Sequence, residues 1–176
     1  NYYFEKEPLG NAGALFRLRQ EIEESGDDSF LLLNADAIFD VDFNRMVTFH
    51  REKKAEVTLF THPNAHPYDS GLIIVNRNEQ VDKWLAKEDK RPRWYQNRVN
   101  AGLHVIANRV IDEYLKLLAD DEKMVVSDAG VHSDKTAIVP IGKIDLDRQI
   151  LKPLSGTGKM YVYDSPEYVK DMGTPE

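Results

Sequence analysis

A chain of 176 residues, 41% hydrophobic and 30% charged, has the composition of an ordinary globular protein of one domain, or one domain with a small lobe. Its net charge of -7 argues against nonspecific binding to nucleic acid or an anionic membrane, although a bound divalent cation can reverse the local sign for a phosphate-bearing ligand. The absence of cysteine excludes disulfides, thiolate zinc sites and cysteine nucleophiles, and no apolar run approaches the roughly 20 residues of a spanning helix.

The chain opens in an aromatic strand candidate, Tyr2–Phe4, with neither an initiator Met nor a signal peptide, and it stops on the turn Asp171-Met172-Gly173-Thr174-Pro175-Glu176. The expectation is a fragment of a longer, cytoplasmic protein. Glu7-Pro8-Leu9-Gly10-Asn11-Ala12-Gly13-Ala14-Leu15 follows. Ala14, Leu15, Leu18 and Ile22 recur at helical spacing and predict a helix from Ala12 to Glu24. A Gly-rich entry to a helix offers free N–H groups and close approach to a ligand; the plainer reading is a tight turn with an Asn or Gly cap. Phe30-Leu31-Leu32-Leu33 then predicts a strand buried on both faces. It ends at Asn34-Ala35-Asp36, which puts Asp36 past the carboxyl end, where open α/β sheets bind ligands. The alternative is that Asp36 only caps the turn.

Phe43, Met46, Val47 and His50 mark one face of a helix, and Val57–Phe60 reads as a strand, an order that suggests a parallel, right-handed crossover. His62 and His66 lie in a Pro-rich loop; Pro63 and Pro67 prevent the helix that would align them, so they are not read as metal ligands. Leu72–Val75 is a strand, Asn76–Glu79 its turn, and Gln80–Leu85 the returning hairpin arm. Lys87–Arg98, with Trp94 and Tyr95, reads as a solvated charged loop. Val99–Ile106 is strand-like, and Ile111, Tyr114, Leu115 and Leu118 mark a helix. Lys123–Gly142 is weakly patterned. Ile144–Leu151 reads as a turn running into a short helix with Asp147 near its start, a favourable place for a carboxylate. Met160–Tyr163 is a strand. Strands alternating with helices around a middle region of hairpins give an α/β sheet with a small inserted β lobe.

Two look-alike motifs fail. Ser155-Gly156-Thr157-Gly158-Lys159 resembles the tail of a P-loop, but Pro153 stands at the leading Gly position and Met160 follows the Lys. Asp40-Val41-Asp42 resembles a phosphatase nucleophile pair, yet no long apolar strand delivers it; a turn and helix cap is the better reading. Asp36 lacks a partner aspartate two positions on, where Ile38 stands, and this weakens a DxD glycosyltransferase reading as well.

Five segments taken in order resemble the sugar-1-phosphate nucleotidyltransferase family: Glu7–Leu15, Leu33-Asn34-Ala35-Asp36, Tyr68 with Gly71, Val99-Asn100-Ala101-Gly102, and Asp171-Met172-Gly173-Thr174-Pro175. Within it, Ile144-Asp145-Leu146-Asp147-Arg148 and Asp164–Asp171 look closest to D-glycero-D-manno-heptose 1-phosphate guanylyltransferases. The resemblance implies a Rossmann-like, mixed or mostly parallel sheet flanked by helices, of the nucleotide-diphospho-sugar transferase type, forming a single domain over residues 1–176, truncated at its N-terminus and also at its C-terminus. It implies transfer of a nucleoside monophosphate from NTP, with GTP favoured, to a sugar 1-phosphate, with heptose favoured and mannose second, releasing pyrophosphate. Asp36 and Asp171 would be the catalytic carboxylates and share one Mg²⁺, a cation that prefers oxygen ligands. Leu9, Gly10, Asn11, Ala12 and Gly13 would line the nucleotide; Gly71, Glu88, Asn100 and Asp147 would hold the sugar. The partners implied are NTP and sugar 1-phosphate, with room for a fused domain or a homo-oligomer.

Some positions depart from the family. Ala35 stands where Gly is usual, Asn11 where Thr is frequent, and Asp147 where Glu is usual. Glu88-Asp89-Lys90-Arg91-Pro92 spreads out a Glu-Lys-Pro motif. The family's Gly-rich phosphate loop, with its Arg and Lys, is not in this sequence. The expectation is a chain inactive as it stands, and the alternative is a noncatalytic sugar-nucleotide-binding regulatory module.

Overall fold

The computed structural model describes residues 8–63, 71–86, 88–120, 124–128, 136–140 and 142–172, with the side chains of 119–120, 124–128, 136–140 and 171 left aside. The strand expected at Tyr2–Phe4, the positions of His66, Tyr68 and Lys87, and residues 173–176 lie outside the described residues. The helices are α1 (Gly13–Arg17), α2 (Arg19–Glu24), α3 (Phe43–Lys53) and α4 (Asn108–Asp120). The strands are β1 (Ser29–Leu33), β2 (Ala37–Asp40), β3 (Val57–His62), β4 (Leu72–Val75), β5 (Val81–Leu85), β6 (Val99–Ala107), β7 (Met124–Asp128), β8 (Thr136–Pro140), β9 (Met160–Asp164) and β10 (Tyr168–Asp171). A π-helical turn, Leu146–Leu151, runs into a 3₁₀ turn, Lys152–Leu154. The chain divides into two compact units, Asn1–Phe30 with Ala107–Pro153 and Leu31–Ile106 with Leu154–Glu176.

The expected mixed α/β sheet is present, in the order β5-β4-β6-β3-β9 with β1 also on β6. The β4–β5 hairpin forms one end of it. β6 is its hub. β3 pairs antiparallel along one edge of β6, from Val57 opposite Ile106 to His62 opposite Val99. The other edge is shared end to end. β4 takes its start, where Leu72 faces Val99; β1 takes the rest, its last bond running from Asn34 N–H to Gly102 C=O at 2.8 Å. Alternation along a strand then sorts the side chains. Ala101, Leu103 and Val105 join Met46, Phe60 and Tyr163 in an apolar cluster against α3, with Leu31, Phe39 and Val169 packed around it. Fully burying a residue such as Phe60 or Leu103 contributes about 1.5–3 kcal/mol. Between Asn100 and His104 the pairing is irregular, since Leu59 faces His104 and Thr61 faces Asn100, and this bulge brings the Asn100 and His104 side chains together.

Four expectations need correction. β1 is half-buried, with Leu33 42% exposed; its apolar run suggested a central strand, but β6 is its one ladder partner among the described residues. The crossover does not place β3 beside β1: both flank β6, and the parallel neighbour of β3 is β9. The helix expected over 12–24 is two, interrupted where Leu18 has ψ near 0°. The weakly patterned 123–142 stretch contains the hairpin β7–β8. The turn-and-cap reading of Asp40–Asp42 holds: Asp40 closes β2, and the Asp42 carboxylate accepts the Arg45 N–H at 3.1 Å as the N-cap of α3.

Gly102 and Gly26 have nearly the same backbone, φ +75° and +76°, but a Cβ on Gly102 would collide with the Asn34 side chain while one on Gly26 meets nothing within 4 Å. Gly26→Ala should therefore cost about 1 kcal/mol from its left-handed φ alone. Gly102→Ala should cost more, about 2 kcal/mol, because the exposed Asn34 side chain must also turn aside. Urea unfolding of the two variants checks this; equal losses would show that the close approach is not limiting.

Candidate active site

The expected site residues fall in two groups, one in each unit. In the second unit they gather where β4 and β1 part company along β6. Asn100 lies between the last β4 pair, at Val99, and the last β1 bond, at Gly102. The antiparallel register of Leu72 with Val99, continued by one residue, sets Gly71 opposite Asn100. Gly71 is confined, since a Cβ there would lie 2.9 Å from Nε1 of Trp84. Glu88 stands on an exposed turn, whose Asp89 carboxylate accepts the Ala86 N–H at 2.8 Å, and no hydrogen bond joins it to Asn100 among the described residues.

Beyond Gly102 the chain leaves the sheet through Asn34-Ala35-Asp36. Ala35 does not have the positive φ that would require Gly. Asp36 is exposed, and its C=O accepts the Met172 N–H at 2.8 Å. This bond extends the antiparallel ribbon β2–β10, in which Asp171 pairs with Ala37. The two acidic positions, far apart in the chain, are thus brought to neighbouring places by one backbone ladder. Among the described residues no group of three or more His or carboxylate side chains could hold a metal ion. Two carboxylate-bearing positions, one exposed on a turn, do suit a hard cation that keeps several waters and takes one or two protein carboxylates.

Sequence reasoning passed over His104 and Asn34. Asn100 Oδ1 lies 3.0 Å from His104 Nε2 and 3.2 Å from the Gly102 N–H that it accepts. His104 is 1% exposed. Burial lowers its pKa from 6.5 to about 4, against a smaller opposing pull from the Leu32 backbone. Regular strand spacing would hold residues four apart about 13 Å from one another; the signal available in the sequence was Gly102, which at φ +75° sits in the irregular stretch that brings Asn100 and His104 together.

In the first unit, Leu9–Gly13 is clamped to the segment that carries Asp147. Ile144 N–H donates to Leu9 C=O at 2.8 Å, and Ala12 N–H donates to Ile144 C=O at 3.2 Å. Asn11 Oδ1 accepts the Leu146 N–H at 2.8 Å. Gly10, at φ +84°, passes so close to Ile144 that a Cβ would strike its backbone. Asp145 caps the π-helical turn by accepting the Arg148 N–H at 2.9 Å. Asp147, partly buried in the first turn, follows at once. Wide i→i+5 turns of this kind frequently accompany functional sites.

A family model described as Nucleotidyl transferase matches residues 1–130. The mannose-1-phosphate guanyltransferase of Yarrowia lipolytica is 25% identical over 173 residues, covering 98% of this chain and 40% of that protein. The mannose-1-phosphate guanylyltransferase of Mycobacterium tuberculosis is 25% identical over 178 residues, covering 99% and 41%. The chain thus spans about two fifths of the length of these relatives. The crystal structure of HddC from Yersinia pseudotuberculosis shares the fold, with a TM-score of 0.63 at 15% identity over 97% of this chain and 60% of that one. A second HddC structure, complexed with GMP-PN, gives a TM-score of 0.62.

The buried imidazole has a measurable consequence. Unfolded, His104 titrates near 6.5; folded, it titrates near 4. Between these values the unfolded chain binds a proton that the folded chain refuses, so stability falls as pH drops from 6.5 towards 4. The full loss is about 3 kcal/mol. Urea unfolding at pH 7, 5.5 and 4 should show this slope in the wild type and a smaller one in His104→Gln; identical slopes would refute it.

Proposed function

The chain belongs to the nucleotidyl transferase family, and on that premise we propose that the protein transfers GMP from GTP to a manno-configured sugar 1-phosphate and releases pyrophosphate. D-glycero-D-manno-heptose 1-phosphate is the favoured acceptor and mannose 1-phosphate the second; the two share one ring stereochemistry and differ in the exocyclic chain. The observation that carries the reading is the β2–β10 ladder, which sets Asp36 beside the Asp171 position. The names of the two relatives, both acting on mannose 1-phosphate, support the sugar and the base.

In this reading an oxygen of the sugar phosphate attacks the α-phosphorus in line, and pyrophosphate leaves. Such a transfer depends on positioning and charge neutralisation rather than on a covalent intermediate. Asp36 and Asp171 would hold Mg²⁺, which supplies positive charge to the phosphate oxygens when bound. Leu9–Gly13 receives the nucleotide, with the Asn11 carboxamide oxygen already engaged by Leu146 N–H. Asn100 and Gly71 meet the sugar 1-phosphate at the parting of β1 and β4. Asp147 takes sugar hydroxyls, and its side chain, one methylene shorter than Glu, leaves space for the longer exocyclic chain of a heptose. Among the described residues no helix is long and apolar enough to cross a membrane.

A panel of NTPs and sugar 1-phosphates, scored by pyrophosphate release in the full-length protein with Mg²⁺, tests the reading. GTP with the heptose or mannose 1-phosphate should give the fastest release; a faster rate with another base or with gluco-configured sugars would overturn it. Asp36→Asn and Asp171→Asn should each lower turnover by roughly 100-fold or more. The double variant should lose little beyond either one, because both carboxylates serve one ion.

A further inference from the structure

Asn100, Gly102 and His104 form a hydrogen-bonded set whose proton positions follow from donor chemistry. A backbone N–H can only donate, so the atom that Gly102 N–H meets on Asn100 is the carboxamide oxygen, and the amide is not turned over. An amide oxygen only accepts, so the His104 Nε2 at 3.0 Å carries the ring proton. Nδ1 is then unprotonated. It is buried and makes no hydrogen bond among the described residues. A second proton would place a charge on a ring that is 1% exposed, a cost that the opposing pull of the Leu32 backbone does not offset. The ring is therefore neutral, in agreement with its lowered pKa.

The same bonds spend Oδ1 of Asn100 on two inward donors. Its Nδ2 makes no hydrogen bond among the described residues, on a half-buried residue at the parting of β1 and β4. We propose that His104 is a positioning residue: by donating Nε2–H to Oδ1 it fixes the Asn100 carboxamide so that Nδ2 is presented as a preset donor to an oxygen of the sugar 1-phosphate. The proposal rests on the reading that Asn100 meets that substrate. Gly102 N–H by itself would define one direction only; two converging donors hold the plane of the amide. The imidazole N–H also polarises the carboxamide and strengthens Nδ2–H as a donor.

The test separates positioning from mere packing. His104→Phe keeps a planar ring and removes the donor, whereas His104→Gln carries an amide N–H at nearly the reach of Nε2. In the full-length protein, His104→Phe should raise KM for the sugar 1-phosphate about tenfold and leave KM for GTP unchanged, and His104→Gln should restore most of the loss. In an Asn100→Ala background, His104→Phe should add nothing further. Equal shifts for both substrates, failure of Gln to rescue a folded variant, or an insensitive His104→Phe would overturn the proposal. Nitrogen NMR of the unmodified protein at neutral pH should show Nε2 protonated and Nδ1 bare, and the opposite tautomer overturns it irrespective of any assay. If the wild type turns over no sugar 1-phosphate with any NTP, the functional reading fails and the substrate role of His104 fails with it. An active wild type with an insensitive His104→Phe removes the proposal alone.

Discussion

The arrangement in the second unit depends on the close approach of Asn34 to Gly102. β1 cannot continue along β6 past that point, because β4 occupies the first residues of the same edge. The Asn34 side chain fills the space in which any other residue at 102 would carry its Cβ. The chain must leave the sheet there, and it does so in the three-residue turn that ends at Asp36. Having left, it pairs elsewhere, as β2 on β10. Asp36 is consequently fixed from both sides by backbone bonds, through Asn34 N–H to Gly102 and through its own carbonyl to Met172 N–H. Neither bond involves its carboxylate, which leaves that group available for chemistry.

The first unit solves a similar problem with different parts. A segment of small residues is conformationally loose unless something holds it. Here Leu9–Ala12 is held by backbone bonds to Ile144 and by the Asn11 side chain to Leu146. The glycine at position 10 is thus required by the clamp itself, since the Ile144 backbone lies against it. Asn11 in place of a shorter Thr has the reach to accept the Leu146 N–H. The residue after Leu146 is Asp147, so the placement of that carboxylate follows mechanically from the placement of the Gly-rich segment.

Periodicity in the sequence was enough for α3, α4, β3, β4, β5, β6 and β9, because each brings buried apolar residues to a core; β4 is only four residues long, but all four are apolar. It was silent on β2 and β10, which are four residues each and exist through one another. Ala37–Asp40 alternates half-buried and exposed residues over a stretch too short to read, and its partner lies at the far end of the chain. β1 misled in the other direction, since Leu31-Leu32-Leu33 has the composition of a central strand and the environment of an edge. The motif residues were legible individually. What joins Asn100 to His104, or Asn11 to Leu146, was not, because those bonds are set by which strand or turn lies alongside, and local sequence carries no record of that.

The register of the ribbon explains why the acidic residue stands in a turn at all. Asp171 pairs with Ala37, so Asp36 is one residue out of step with it. In a regular antiparallel ladder, residues that pair share a face and residues one step apart do not. An aspartate at that position within a strand would be turned away from its counterpart by the pleat. Asp36 precedes β2 and lies in the turn, so the pleat does not dictate its direction. The strand that precedes it supplies rigidity, and the exit from that strand leaves the Asp36 carboxylate free of the alternation that a strand would impose.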